Sequence, residues 1–300
     1  MFLIRLIPAV LCSMLVVACS LPEPEPVACP ASSLRPGAYE RYAEWEGLDR
    51  WYEIYVPQQA GTDPLPLVLN LHPFVLGGAE LFHNIWRSES GLTVKAEEAG
   101  FIVVQPDGTG APAGWNAGEA CCGEASENDV DDVGFIRHIV DLVAEQACID
   151  PKRVYSTGMS NGAYLSHRLG CEAPDLVAAI APVVGSFSSE LSCIQDRPVP
   201  VLQISGSEDS LESRSAAVDR WVELNECTGE AVETYSQGTA TCETWQSCNE
   251  GVEVTHCIVE GGGHCWFSDI DPQASPGCTA SDDLVSQDVA WEFMSRWSLP

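Results

Sequence analysis

Hydrophobic positions recur along this chain in two spacings. Short, nearly unbroken apolar runs stand at Pro66–Leu71 (PLVLNL), Phe101–Gln105 (FIVVQ), Ala178–Val184 and Val199–Ile204, and a last one at Val252–Val259. Runs of this length, rich in branched side chains and ending in polar loops, predict strands buried on both faces of a parallel sheet. From Asp132 the spacing changes to three and four, with Ile136, Ile139, Val140 and Val143 on one side behind an acidic start, which predicts a capped amphipathic helix. A similar spacing at Val285, Val289 and Phe293 predicts a closing helix of about fifteen residues from Asp282. Tyr52–Val56 alternates and stops at Pro57, as an early, edge-type antiparallel strand would.

Strands alternating with helices, without an internal repeat, predict an α/β fold with a doubly wound, mostly parallel sheet, in which sites form at the carboxyl ends of strands. About 260 residues from position 38 onward suit one large domain, 38–300. Ser210–Gly251 departs from the pattern: it is polar, threonine-rich and carries three cysteines, and it reads as a disulfide-stapled excursion.

The chain begins with a lone charge, Arg5, and an apolar run from Leu6 to Val17 that is too short to span a bilayer, so residues 1–18 read as a secretion signal. The run ends in Val16-Val17-Ala18-Cys19, which resembles a bacterial lipobox and makes Cys19 the candidate lipidation site, with ordinary signal cleavage nearby as the alternative. The proline-rich stretch 19–37 then reads as a tether. The expected location is the bacterial cell envelope, as a lipoprotein, or the extracellular space. Setting aside Cys12 and Cys19, twelve of the fourteen cysteines remain, and no Cys-x-x-Cys pair stands among them to clasp zinc. In an exported chain that even number predicts up to six disulfides. The formal net charge of -30, with no basic cluster, disfavours nucleic acid and anionic surfaces.

The chemistry centres on Gly158-Met159-Ser160-Asn161-Gly162, a glycine-flanked serine between a strand and a helix. A serine hydroxyl needs a general base to become a nucleophile, and histidine is the usual one. Of the histidines that follow Ser160, His167 lies seven residues along the same helix, out of hydrogen-bond reach, and reads as a packing or surface residue. His256 falls within the last strand. His264 follows Gly261-Gly262-Gly263 on the loop after that strand and is the candidate base. Asp209 follows the strand Val199–Ile204 and is the candidate orienting acid, with Glu208 and Glu212 as alternatives. Two backbone N–H groups are needed to bind an oxyanion. Those of Asn161 and Phe74 are the candidates, since Pro73 has no N–H.

These residues sit in a set of longer motifs: PLVLNLH, VVQPDGT, GWN followed by CCG, DVDDVGFIRHIVDLV, DPKRVYSTGMSNGAYLSHRL, AAIAPVVG, RPVPVLQISGSED and EGGGHCW. The set, spread over residues 40 to 297, resembles the α/β-hydrolase group that contains secreted polyhydroxybutyrate depolymerases and feruloyl esterases. The resemblance implies serine ester hydrolysis through an acyl-enzyme with Ser160, Asp209 and His264 as the triad. It implies no metal or organic cofactor, no obligate protein partner, and His72, Trp115 and Trp266 near the bound ester, with packing as the alternative role for each of the two tryptophans. The substrates it implies are feruloyl or acetyl polysaccharide esters or hydroxyalkanoate oligomers. A peptidase on the same fold and a non-catalytic carbohydrate-binding lipoprotein are the rival readings. Two departures from the group's pattern stand out: Pro73 replaces the glycine that usually follows the histidine, and Glu208 replaces a smaller, uncharged residue before Asp209.

Overall fold

The computed structural model describes residues 29–31, 33–74, 86–87, 90–118, 121–188, 191, 193, 196–209, 214–268 and 283–300. Cys19, Glu212, Cys278 and the signal-like segment lie outside the described residues.

Among the described residues ten strands form one sheet: β1 (Gly37–Trp45), β2 (Leu48–Val56), β3 (Leu65–Leu71), β4 (Ile102–Pro106), β5 (Ile149–Met159), β6 (Ala179–Val183), β7 (Val201–Gly206), β8 (Val232–Gln237), β9 (Ala240–Trp245) and β10 (Val254–Val259). They lie side by side in the order β1-β2-β4-β3-β5-β6-β7-β10-β9-β8. The centre, from β4 to β10, is parallel, and an antiparallel pair flanks it at each end. The described helices are α1 (Leu92–Ala99), α2 (Gly123–Glu127), α3 (Asp132–Ala144), α4 (Asn161–Glu172), α5 (Arg214–Leu224) and α6 (Ser286–Met294).

Successive side chains of a strand point to opposite faces, so a strand covered by helices on both sides must be apolar throughout. Leu67, Leu69, Ile102 and Val104 pack with Ile136, Ile139, Leu165 and Trp221 of α3, α4 and α5. Their strand neighbours Val68 and Val103 pack on the other face with Leu92 and Ala96 of α1 and with Ala290 and Phe293 of α6. The continuous apolar runs are therefore the parallel strands. Helix α3 starts where its capping pattern predicts, with the Asp131 carboxylate accepting from the Gly134 N–H at 2.8 Å.

Four expectations need correction. The strand containing Tyr52–Val56 is not at the edge, because β1 covers it in a nine-residue antiparallel register. β1 escapes notice because its side chains alternate between half-buried and exposed, which leaves no apolar run to find. The polar segment after Ser210 is not an irregular excursion but helix α5 followed by the β8–β9 hairpin, which widens the central sheet. Its disulfides are as expected, with Cys227 bonded to Cys248 and Cys242 to Cys257. The tether does not run free to residue 37: Cys29 is bonded to Cys148, and the Leu34 N–H donates to Gln146 O at 2.7 Å. The closing helix starts at Ser286 and spans 9 residues.

Cys242 and Cys257 face each other in the β9–β10 register, so this disulfide fastens the added hairpin to the parallel sheet. A cross-link closing a loop of that size stabilises a fold by about 3 kcal/mol through the unfolded chain. The Cys242→Ala/Cys257→Ala double variant is expected to lose about that much in a urea unfolding titration, and no loss would show that β9 holds its place without the bond.

Candidate active site

The sheet's carboxyl edge brings three loops together. At the end of β5 the backbone turns sharply through Ser160, at φ 54° and ψ −119°, and α4 begins with the next residue. That conformation is costly for a residue with a side chain. It is held by the Ser160 N–H donating to Val183 O at 3.0 Å and by Ser160 O accepting from the Tyr164 N–H at 2.9 Å. The flanking glycines have no room for more than hydrogen. A Cβ on Gly158 would lie 2.5 Å from Leu71 O, and one on Gly162 would lie 2.2 Å from the same atom. The end of β3 is thus pressed against the serine turn, and the chain that leaves it, His72-Pro73-Phe74, starts beside Ser160.

The loops after β7 and β10 are joined main chain to main chain. The Ser207 N–H donates to Val259 O at 2.9 Å, the Glu208 N–H to Gly262 O at 2.7 Å, and the Gly261 N–H to the Ser207 hydroxyl at 2.8 Å. A Cβ on Gly206 would strike Gly262 O at 2.3 Å, which is why the approach needs glycine there. This seam sets His264 Nδ1 2.8 Å from Asp209 Oδ2, with the Asp209 carboxylate fully buried and the imidazole one-quarter exposed. The bond fixes the ring so that Nε2 is the free nitrogen, as a general base requires. Glu208 is exposed and its side chain stands outside this pair. Of the acids weighed from sequence, Asp209 is the one brought to His264.

The other two histidines that follow Ser160 have structural work. His167 is fully buried on α4: Nε2 bonds Gln203 Oε1 at 3.0 Å and Nδ1 accepts from Trp221 Nε1 at 2.9 Å. Burial pulls its pKa down to about 4. His256 on β10 bonds the Ser205 hydroxyl at 3.2 Å.

Around Ser160 lies a set of braces. Asn161 is fully buried, and its amide pairs with one backbone unit: Oδ1 accepts from the Trp115 N–H at 2.7 Å and Nδ2 donates to Trp115 O at 3.1 Å. The Trp115 indole donates to His72 O at 3.0 Å. His72 Nδ1 lies 2.7 Å from Pro73 O, while Nε2 accepts from the Gly108 N–H at 2.9 Å and lies 3.3 Å from Asp107 Oδ1. Phe74 is half-buried, and its ring fills the space that side chains on Gly114 and Gly123 would need. One layer further in, Arg50 donates to Asp132 Oδ1 at 2.7 Å and to Asp107 O at 2.8 Å, while Asp132 Oδ2 accepts from the Asn116 N–H at 2.6 Å. Burial pushes the Asp132 carboxyl above its ordinary range, against the pull of the Arg50 guanidinium.

Trp115, His72 and Trp266, expected beside the bound ester, are 0%, 3% and 6% exposed. Their side chains are packed inside the protein. Trp266 donates to Gln287 Oε1 at 3.2 Å and meets Trp86 edge to face. The Asn161 amide and the Arg50–Asp132 pair were not legible as functional in the sequence. The signal for Asp132 was its place in the DVDDVGF motif, and Arg50 left none.

Comparison with known proteins fits this geometry. Residues 88–210, which hold Ser160 and Asp209, match the prolyl oligopeptidase family. Over 264 residues the chain is 30% identical to feruloyl esterase B of Piromyces equi, covering 80% of this chain and 44% of that protein. It is 26% identical over 266 residues to the bifunctional acetylxylan esterase/xylanase XynS20E of Neocallimastix patriciarum, covering 86% of this chain and 35% of that one. The acetyl xylan esterase from Aspergillus awamori superposes with a TM-score of 0.63 at 15% identity, over 86% of this chain and 99% of that one.

The chain has the α/β-hydrolase fold. It spans less than half the length of the two relatives from Piromyces and Neocallimastix. The serine turn, the acid and the histidine follow β5, β7 and β10, the chain order expected of this fold.

His167 gives the α/β-hydrolase core a pH dependence. Its folded pKa lies below the ordinary 6.5, so between pH 6.5 and about 4 the unfolded chain takes up a proton that the folded chain refuses. Stability is therefore expected to fall as pH falls through that window, by up to about 3 kcal/mol from this group. Urea titrations at pH 7 and pH 4.5 measure it: wild type should lose more than the His167→Gln variant, whose side chain does not titrate, and equal losses would refute the assignment.

Proposed function

We propose that the protein hydrolyses carboxylic esters by a serine mechanism. The observation that carries the reading is the 2.8 Å bond from buried Asp209 to His264, on a loop seamed to the same sheet edge that presents Ser160. His264 Nε2 takes the proton of Ser160 Oγ as that oxygen attacks the ester carbonyl carbon. The tetrahedral oxyanion is met by the backbone N–H groups of Phe74 and Asn161. The carbon–oxygen bond to the alcohol then breaks, and His264 returns its proton to the leaving oxygen. Water, deprotonated by His264, attacks the acyl-enzyme, and the acid leaves with Ser160 restored. Asp209 holds the imidazole in the tautomer that each step needs and stabilises the imidazolium.

The substrate class we propose is the feruloyl or acetyl ester of a plant polysaccharide, supported by the feruloyl and acetylxylan esterases among the relatives. Hydroxyalkanoate oligomers are the second class, supported by a poly(3-hydroxybutyrate) depolymerase of Ralstonia pickettii that is 27% identical over 182 residues. Export, with Cys19 lipidated or the signal cut nearby, agrees with a chain closed by several disulfides. The match to the prolyl oligopeptidase family supports a peptidase as the second reading. A purely carbohydrate-binding role is disfavoured by the Asp209–His264 pair at the sheet edge that presents Ser160.

Hydrolysis of p-nitrophenyl acetate should fall roughly a thousandfold or more in the Ser160→Ala variant, with a fluorophosphonate labelling wild type at Ser160 and not the variant. Unchanged turnover in Ser160→Ala would end the serine reading. A rate panel of methyl ferulate, acetylated xylan, hydroxybutyrate oligomers and a peptide anilide then ranks the substrates, and fastest cleavage of the anilide would favour the peptidase.

A further inference from the structure

A solvent-open cleft of about 360 Å³ lies between strands β7 to β10 on one side and helix α6 on the other. That volume falls within the roughly 300–1,000 Å³ of small-ligand pockets. The cleft is not part of the ester site. Leu202 and Thr255 are the second residues of β7 and β10, Glu253 immediately precedes β10, and Gln246 immediately follows the antiparallel β9. The cleft therefore stands toward the amino ends of the parallel strands. Asp209 and His264 follow the carboxyl ends, roughly 20 Å away for a strand of 6 residues at about 3.3 Å per residue.

The floor of the cleft follows from the strand period, by which Thr255 and Cys257 share a face of β10 and Cys242 and Thr244 share a face of β9. Leu202, the Cys242–Cys257 disulfide, Val289 and Phe293 make it partly apolar. Its polar part is a row of hydroxyls. Thr234 donates to Cys242 O at 3.4 Å. A hydroxyl has a single proton, so in the 2.8 Å bond to Thr244 the Thr234 oxygen accepts, and in the 3.0 Å bond between Thr244 and Thr255 the Thr244 oxygen accepts in turn. All the protons of the ladder are spent within it. These bonds leave lone pairs, one each on Thr234 and Thr244 and both on Thr255. Thr244 and Thr255 are almost wholly buried and border the cleft, so a molecule lodged there is what would meet them. At the rim, Arg296 is bonded to Glu253 at 2.9 Å and lies over the Phe293 ring, so its charge is met within the protein.

A ligand suited to this cleft brings a row of hydrogen-bond donors and an apolar face. A pyranose has both, with hydroxyls along its edge and C–H groups on its faces. The net charge of -30 works against a polyanion. We infer that the cleft is a second binding site, remote from Ser160, for a neutral pyranose of a polysaccharide chain. The choice of ligand rests on the polysaccharide-ester reading above, while the geometry of the cleft needs no catalytic step. A polymer held there keeps its esters near Ser160 at a raised local concentration, as a second point of attachment does.

The test is affinity electrophoresis of the full chain through gels containing an uncharged, deacetylated arabinoxylan, which has no acetyl ester to cut, together with calorimetric titration of xylohexaose. Thr244→Val/Thr255→Val removes both partners of one hydroxyl pair at nearly constant shape, so neither is left with an unmatched donor. Thr234→Tyr, at an exposed position of β8, fills the cleft without touching the core. Wild type is expected to be retarded and either variant to bind about tenfold more weakly, the effect of losing a pair of hydrogen bonds. On acetylated xylan both variants should show KM raised about threefold at unchanged kcat, and on p-nitrophenyl acetate neither constant should move. Unretarded wild type, or retardation that survives both variants in chains that melt like wild type, would overturn the inference. Tighter binding of cationic chitosan oligomers than of xylohexaose would also overturn it, in favour of an amine ligand. If p-nitrophenyl acetate turnover survives Ser160→Ala while retardation still needs the threonines, the serine reading falls and the sugar site stands; if turnover depends on Ser160 and neither saccharide binds, the inference alone falls.

Discussion

Everything at the carboxyl edge of the sheet depends on how closely β5, β3 and β6 bring their backbones together around Ser160. At Gly158 and Gly162 the neighbouring atoms are Leu71 main chain, and at Gly185 they are Ser160 O and Ala163 Cβ, all within 2.7 Å of where a side chain would begin. Such contacts form only if the turn through Ser160 adopts its positive φ, which costs on the order of 1–3 kcal/mol for a residue other than glycine. The buried parallel strands on both sides supply far more than that, since each fully buried Leu or Val contributes roughly 1.5–3 kcal/mol. The strained serine is thus a consequence of sheet packing.

From that point the site is built outward by main-chain seams. Ser207, Glu208 and Gly261 tie the acid loop to the histidine loop, so the Asp209–His264 bond depends on the β7–β10 pairing and on little else. On the other flank, Asn161 grips the Trp115 peptide, Trp115 grips His72 O, and His72 grips Pro73 O. Arg50 and Asp132 sit behind this chain of bonds and hold Asp107 and Asn116. A buried ion pair is weak evidence for stability. Here its value lies in fixing two loops to the scaffold at once.

The parallel strands could be read directly from sequence because burial on both faces demands an unbroken apolar run, as in PLVLNL and FIVVQ. The half-exposed strands could not: β1 and β8 present mostly polar or exposed side chains, and their place in the sheet comes from backbone pairing with a neighbour. Ser160, Asp209 and His264 were legible because each follows a strand of the first kind. The braces were not, because their partners are distant in sequence, Asn161 from Trp115 by 46 positions and Arg50 from Asp132 by 82. A tryptophan near a site also looks the same in sequence whether it faces substrate or packs inward, and Trp115 and Trp266 pack inward.

The covalent links complete the division of labour. Cys29–Cys148, Cys171–Cys193, Cys227–Cys248 and Cys242–Cys257 each fasten a peripheral piece to the core: the entering chain, the end of α4, the end of α5 and the β9 strand. Two others come close to the chemistry. Cys265, beside His264, is disulfide-bonded, and Cys121, bonded to Cys122, lies against the Asn161 amide at 3.7 Å. The Asp209–His264 bond and the main chain at Phe74 and Asn161 are held by hydrogen bonds and packing. Disulfides restrict the unfolded chain without dictating angles at a distance, whereas a catalytic donor must be aimed to within a fraction of an ångström. The chain therefore uses covalent bonds to fasten its periphery and short polar contacts to aim the groups at the sheet's carboxyl edge.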